Sequence, residues 1–108
     1  MKKRYNEQLI YFKRWLKDTC KKNYSYKKLK NLHGLDLSGN GLMSIPPEIG
    51  QLTNLQYLNL YYNRLTSIPP EIGMLTNLRE LRLSCNNLTS LPPEIGMLTN
   101  LQSFEFAW

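Results

Sequence analysis

The chain has 108 residues, a length that fits a single domain. Its net charge of +6 is divided unevenly: residues 1–31 hold 11 of the 14 Lys and Arg against two acids, whereas residues 32–108 hold three Arg against six acids. The longest apolar run in the basic N-terminal segment, Leu9–Phe12, has only four residues, which is too few for a secretory signal or a membrane span.

The N-terminal segment carries apolar residues at helical spacing. They recur at intervals of three or four residues and are Tyr5, Leu9, Phe12, Leu16 and Cys20. This pattern predicts an amphipathic helix, with lysines and an arginine largely on the opposite face. We interpret residues 1–31 as a basic helical cap over the exposed end of the repeats that follow. The alternative is a basic amphipathic helix that attaches to an anionic membrane or to RNA.

From residue 32 onward the sequence repeats itself every 23 residues. The positions in common register are Leu32, Leu55, Leu78 and Leu101; Asn40, Asn63 and Asn86; and the pairs Pro46-Pro47, Pro69-Pro70 and Pro92-Pro93. Repetition at this period is typical of stacked units, each too small to bury its own apolar face. The sequence therefore predicts three full units and one partial unit.

Each unit begins with a short predicted strand. In the second unit, Leu58 and Leu60 are separated by one residue, so they share a face and Asn59 points away from them. The equivalent positions are Leu35 and Leu37 around Asp36, Leu81 and Leu83 around Arg82, and Phe104 and Phe106 around Glu105. One strand per unit with a long return connection predicts a parallel sheet.

The rest of each unit predicts a turn and a return path. The Asn63 amide can bond to backbone groups that the turn leaves unpaired, so the repeated asparagines should form a ladder inside the stack. The proline pair favours an extended path before at most a short helical turn at 71–75. Inward contacts on this side are expected from Ile45, Ile49, Leu52, Ile68, Ile72, Leu75, Leu91, Ile95 and Leu98.

Residues 32–108 resemble the leucine-rich repeat pattern, L-x-x-L-x-L-x-x-N-x-L followed by I-P-P-E-I-G-x-L-T-N. This repeat type is similar to those of plant intracellular proteins and of bacterial effectors delivered into host cells. The resemblance implies an α/β solenoid with a parallel sheet on its concave side, here with residues 1–31 as an N-terminal helical cap. It also implies a single structural domain that binds a partner protein through the concave face.

The family pattern assigns the non-leucine positions around each strand to the concave face. The candidate partner-binding residues are Asp36, Tyr57, Asn59, Tyr61, Tyr62, Glu80, Arg82, Cys85, Glu105 and Trp108. Exposed Tyr, Trp and Arg are frequent anchors of protein interfaces. Two structural alternatives remain at this stage. Arg82 could satisfy the neighbouring acids within the chain, and the tyrosines could be ordinary strand residues that stack across repeats.

The sequence offers no group arranged for catalysis. His33 is the only histidine, Cys85 lacks a triad-like partner, and neither a phosphate loop nor metal-ligand spacing is present. We therefore expect no enzymatic activity, no cofactor, no metal and no small-molecule substrate. Two cysteines without a secretory signal suggest reduced thiols, hence a cytoplasmic protein, or one delivered into a host cytosol if it is a bacterial effector.

The last predicted strand differs from the others. Phe104 and Phe106 replace the two leucines, and their larger rings are expected to fill the unclosed end of the stack. The edge of this strand still offers backbone groups to a partner chain, so self-association through it is a further hypothesis. The preferred function is a protein-interaction module, such as an effector that modulates a host protein or another effector by covering an enzyme's active site.

Overall fold

The structure, a computed structural model, describes residues 6–106. Two helices come first, α1 (Glu7–Cys20) and α2 (Tyr26–Lys30). Four short strands follow: β1 (Gly34–Asp36), β2 (Tyr57–Asn59), β3 (Glu80–Arg82) and β4 (Ser103–Glu105). The connections between them contain 3-10 turns at Pro47–Gln51, Pro70–Met74 and Pro93–Met97. None of the helices in this range is long and apolar enough to cross a membrane.

Helix α1 forms the predicted N-terminal cap. Asn6 starts it by accepting a hydrogen bond from the Leu9 backbone N–H at 2.7 Å, and Lys21 ends it in the left-handed conformation. The predicted apolar face is buried at Leu9, Phe12, Leu16 and Cys20, while Tyr5 lies outside the described residues.

The cap packs against the first 3-10 turn. Polar contacts fasten it there, because Gln51 of that turn bonds to both Asn6 and Gln8. One hydrophobic core runs from Leu9 in α1 to Leu98 in the last described turn. The division of the chain at residue 31 stays a prediction.

The four strands form one parallel sheet in the order β1-β2-β3-β4, as the repeat predicted. Each strand advances by one 23-residue unit, so equivalent positions lie side by side. Asp36, Asn59, Arg82 and Glu105 make one row, and Leu35, Leu58, Leu81 and Phe104 make the neighbouring inward row. This register places the predicted concave positions together on the open face of the sheet.

The asparagine ladder forms, but its members differ in burial. The Asn63 amide donates to the Leu37 and Leu60 carbonyls and accepts from the backbone N–H groups of Asn40 and Leu42. Asn63 is 7% exposed, and Asn86 repeats the arrangement one unit later in a partly buried position. The prediction that all three lie inside the stack is wrong for Asn40, which is exposed because no earlier repeat lies beside it.

The predicted inward residues of the return path are buried in the first two repeats. In the third repeat Leu91 and Ile95 are only partly buried, because no described segment packs beyond them. The two phenylalanines of the last strand also do not close the end as expected. Phe104 is 42% exposed, and its ring stacks on that of Phe106 with centroids 6.0 Å apart.

Candidate protein-binding surface

The concave face of the sheet presents three tyrosines from one repeat. Tyr57 is 46% exposed, Tyr61 38% and Tyr62 67%. Tyr57 belongs to β2, and the other two follow the strand at the start of the turn. The rings of Tyr61 and Tyr62 lie 6.3 Å apart at an angle of 41°. These side chains therefore combine apolar rings with polar tips on a surface open to solvent.

Arg82 lies between Tyr61 and Glu105. Its guanidinium carbon is 5.3 Å from the centroid of the Tyr61 ring, and its Nη2 is 3.4 Å from Glu105 Oε2. Sequence analysis left open whether Arg82 pairs with acids of its own chain, and the structure shows such a pair with Glu105. The pair is partly exposed, so it orders these side chains more than it stabilises the fold. Glu105 Oε1 is buried and has no hydrogen-bond partner within the described residues.

Tyr62 and Cys85 occupy a backbone position that favours glycine. Their φ angles are 58° and 61°, and the equivalent residue of the first repeat is Gly39 at 66°. Left-handed backbone at a residue with a side chain costs about 1 kcal/mol or more. The sequence places a large aromatic residue and a thiol at this strained turn, and both side chains are exposed. Strain of this kind is frequent at functional surfaces.

The Tyr61 phenol is connected to the same turn. A side-chain hydrogen bond with Cys85, followed by the negative charge that Cys85 carries when ionised, raises the pKa of Tyr61 above its usual value. The phenol is therefore neutral at physiological pH and can donate a hydrogen bond. Tyr61, Tyr62, Arg82, Cys85 and Glu105 form one cluster, which we call the aromatic cluster.

The first two strands give a second group of candidate residues. Asp36 Oδ1 accepts hydrogen bonds from the Ser38 backbone N–H at 2.9 Å and hydroxyl at 2.6 Å, and these bonds lower the pKa of Asp36. Asn59 makes an equivalent contact at the end of β2, where its Oδ1 accepts a hydrogen bond from the Tyr61 backbone N–H at 3.0 Å. Both side chains are thus partly engaged in holding the strand ends, a structural task that strand periodicity alone did not predict.

Two residues of the cap extend this surface. Lys22 and Tyr24, in the loop between α1 and α2, line a hollow of about 390 Å³ together with Asp36, Tyr57 and Glu80. Lys22 is close enough to contribute to the lowered pKa of Asp36. Sequence analysis missed both residues, because only the tertiary packing of the cap brings this loop beside the sheet.

The family comparison agrees with this architecture. A family model described as a leucine-rich repeat region matches residues 14–108, which is most of the chain. The chain belongs to the leucine-rich repeat family. Members of this family typically bind other proteins, and the fold is in general non-enzymatic.

A solved structure gives a more specific likeness. A leucine-rich repeat protein of Leptospira interrogans is 53% identical over 70% of the chain, with a TM-score of 0.69. The matched region is only 19% of that bacterial protein, so the chain corresponds to about a fifth of its length. No curated protein matches the chain.

The remaining candidate residues of this leucine-rich repeat chain belong neither to the aromatic cluster nor to the group around Asp36. Trp108 lies outside the described residues, so its predicted place in the outer row stays a prediction. His33 is exposed, and no group of three potential metal ligands occurs within residues 6–106. Cys20 and Cys85 are free thiols, and burial raises the pKa of Cys20.

Proposed function

We propose that the chain is a non-catalytic module that binds a partner protein through its concave face, with the aromatic cluster as the main anchor. The observation that carries this proposal is the exposure of Tyr57, Tyr61 and Tyr62 on one repeat beside Arg82, which is already held by neighbouring side chains. Tyr and Arg are the residue types that most often dominate binding energy when a partner covers them.

The geometry of the cluster reduces the cost of binding. Arg82 is placed over the Tyr61 ring and beside Glu105 before any partner arrives, so less side-chain entropy is lost on association. A partner would bury the exposed tyrosine rings of Tyr57, Tyr61 and Tyr62. The hollow beside Tyr57 and Tyr24 gives a second point of contact, at which two acids, Asp36 and Glu80, outnumber the one base, Lys22, and favour a basic side chain of the partner.

A double variant tests the site. Partners captured from the native source on the immobilised chain would be purified, and their affinity measured by calorimetry. Tyr61→Ala/Tyr62→Ala should weaken binding by about 2 kcal/mol or more, roughly 30-fold in Kd. Tyr11→Ala is the matched control, because Tyr11 is 51% exposed on α1, away from the sheet, and should leave the Kd unchanged. Equal affinity of the double variant and the wild type would refute the assignment.

The compartment and the biological role are also proposed. Two free cysteines, one of them exposed, suit a reducing cytosol. The likeness to a bacterial leucine-rich repeat protein favours a bacterial source, in which case the partner is a host protein or another effector. Binding across an enzyme's active site is one way in which such a module modulates its partner.

The exposed face of α1 supports a second candidate function. Ile10 is 39% exposed and Tyr11 51% exposed, and they lie among the basic residues Lys13, Arg14 and Lys17. Apolar side chains beside cations suit attachment to an anionic membrane or to RNA. Vesicle flotation and RNA shift assays at low salt would test this, with Ile10→Gln as the informative variant. Absence of binding at low salt would remove the candidate.

A further inference from the structure

The hollow of about 390 Å³ between the cap and the sheet lies where one row of the concave face lacks a side chain. In the register of the sheet, Gly34 of β1 lies beside Tyr57 of β2, which lies beside Glu80 of β3. A Cβ atom on Gly34 would meet atoms of Tyr57 at 3.9 and 4.0 Å, which is ordinary contact distance. A side chain would therefore fit at this position, and glycine leaves the space open to a partner.

Tyr57 presents an aromatic ring to this hollow. Its side chain is 46% exposed, and within residues 6–106 neither another ring nor a cation is stacked on it. Tyr24, the other tyrosine of the hollow, differs in this respect, because Lys28 Nζ lies 5.9 Å from its ring centroid. The Tyr57 ring is therefore available to a planar or cationic group of a partner.

The two carboxylates of the hollow keep oxygen atoms without a partner in the described part of the chain. The one ion pair among residues 6–106 joins Arg82 to Glu105, so neither Asp36 nor Glu80 is paired with a cation. Both bonds from Ser38 go to Asp36 Oδ1, and they lower the pKa of Asp36, so the group is ionised at neutral pH. The Glu80 side chain is half-buried and accepts no hydrogen bond from the described residues.

The basic residues near the hollow do not neutralise these acids. Lys22 lines the hollow and helps to lower the pKa of Asp36, but it forms no ion pair with Asp36 or Glu80. Arg82, the next cation along the sheet, is paired with Glu105. The hollow therefore keeps two acids against one base, in a chain whose overall net charge is +6.

We propose that this hollow binds an arginine side chain of the partner protein. The inference rests on the proposed protein-binding function of the concave face and names the partner's chemistry at one point of it. A guanidinium is planar and charged, so it can stack on the Tyr57 ring while its forked N–H groups donate to carboxylates. The register places Glu80 directly beside Tyr57, so one side chain can make both contacts. A lysine ammonium has no plane to stack and acts only as a point charge.

Short blocked peptides test the hollow without the natural partner. Acetyl-Gly-Arg-Gly-amide would be titrated into the isotope-labelled full chain, with lysine or citrulline at the central position for comparison. The arginine peptide should give saturable amide shifts at Gly34, Tyr57 and Glu80, with a Kd of about 1 mM. Its Kd should be about 5-fold or more below that of the lysine peptide, which cannot stack. The citrulline peptide is planar but uncharged, and should bind about 10-fold or more weakly than the arginine peptide.

Variants of the lining residues locate the binding. Glu80→Gln removes a carboxylate charge and Tyr57→Leu removes the ring, and each should raise the Kd of the arginine peptide about 5-fold or more. Gly34→Leu fills the open position and should abolish the saturable shifts. The matched control is Glu48→Gln, which makes the same charge change in the first 3-10 turn, outside the sheet, and should leave the Kd unchanged.

Several results would overturn the proposal: no saturable shift, equal affinity for the lysine or citrulline peptide, or an unchanged Kd in folded Glu80→Gln. If Gly34→Leu fails to fold by circular dichroism, Glu80→Gln decides, because it keeps the size of the side chain. Tyr61→Ala/Tyr62→Ala leaves the lining of the hollow intact and should bind the arginine peptide like the wild type. Its affinity for the natural partner tests the proposed function separately, so either claim can fail without the other.

Discussion

The two ends of this short stack differ in how far their apolar flanks are covered by other residues. At the N-terminal end, α1 supplies buried Leu9, Phe12 and Leu16, and the adjoining residue Ile49 is 0% exposed. At the C-terminal end, the equivalent residue Ile95 is partly exposed, and Phe104 is open to solvent. Every leucine-rich repeat has two apolar flanks, and only a segment outside the repeat pattern can cover the outermost one. Stability should therefore be concentrated at the capped end.

The largest expected effect compares a phenylalanine at each end. Phe12→Ala empties a fully buried site and should lower the free energy of unfolding by about 3–5 kcal/mol. Phe104→Ala removes a ring that is 42% exposed and should cost only about 1 kcal/mol. Urea unfolding followed by circular dichroism measures both. Equal losses would mean that the C-terminal end is as well packed as the cap.

The next comparison uses two asparagines of the ladder. Asn63→Ala leaves the backbone N–H groups of Asn40 and Leu42 without their acceptor, which should cost about 2–4 kcal/mol. The Leu37 and Leu60 carbonyls lose one donor each but keep bonds from the side chains of Asn40 and Asn86. Asn40→Ala acts at an exposed position and should cost about 0.5 kcal/mol. Thermal unfolding of the two variants side by side gives the difference. A small effect at Asn63 would indicate that water replaces its hydrogen bonds.

A third comparison tests the repeat interface with one substitution in two identical sequence contexts. Gly73→Ala forces a Cβ against the Glu94 backbone and should destabilise by about 1–3 kcal/mol. The Cβ of Gly96→Ala would enter space that none of residues 6–106 occupies, so this change should be neutral, or stabilising by about 0.4–1 kcal/mol, because alanine restricts the unfolded chain. Denaturant titration of both variants checks whether each change lowers or raises the free energy of unfolding. Destabilisation by Gly96→Ala under these conditions would show that another segment covers this end.

The strand register and the inward leucines could be predicted from the sequence, because a strict 23-residue period fixes which residues are neighbours. The pairing of Asp36 with Asn59 and of Arg82 with Glu105 follows from that period alone. The burial of each ladder asparagine could not be predicted in this way, since identical residues differ only in whether a repeat lies beside them.

The candidate site shows the same limit. The concave row of Arg82 and Glu105 was predictable, but the contribution of Lys22 and Tyr24 depends on how a non-repeating loop packs against the sheet. The left-handed backbone at Tyr62 was also missed, although Gly39 at the equivalent position was a signal for it. Long-range packing and turn geometry are therefore the parts that periodicity does not determine.

The smallest expected effect concerns pH at the concave surface near the capped end. Bonds from Ser38 lower the pKa of Asp36 below the ordinary value of 3.8, so the ionised carboxylate is favoured more in the folded than in the unfolded chain. This contribution is fully present above the unfolded pKa and is lost as the pH falls through the folded pKa. Because Asp36 is exposed, its size should be about 0.5 kcal/mol or less.

Asp36→Asn isolates that contribution, since the amide oxygen can still accept from Ser38 but does not ionise. The variant should be slightly less stable than the wild type at pH 7, and the difference should shrink as the pH falls below about 3.8. Ser38→Ala removes the hydroxyl donor and should raise the Asp36 pKa, measurable from the side-chain carbonyl chemical shift. A wild-type pKa at or above the ordinary value would show that the Ser38 bonds do not favour the carboxylate.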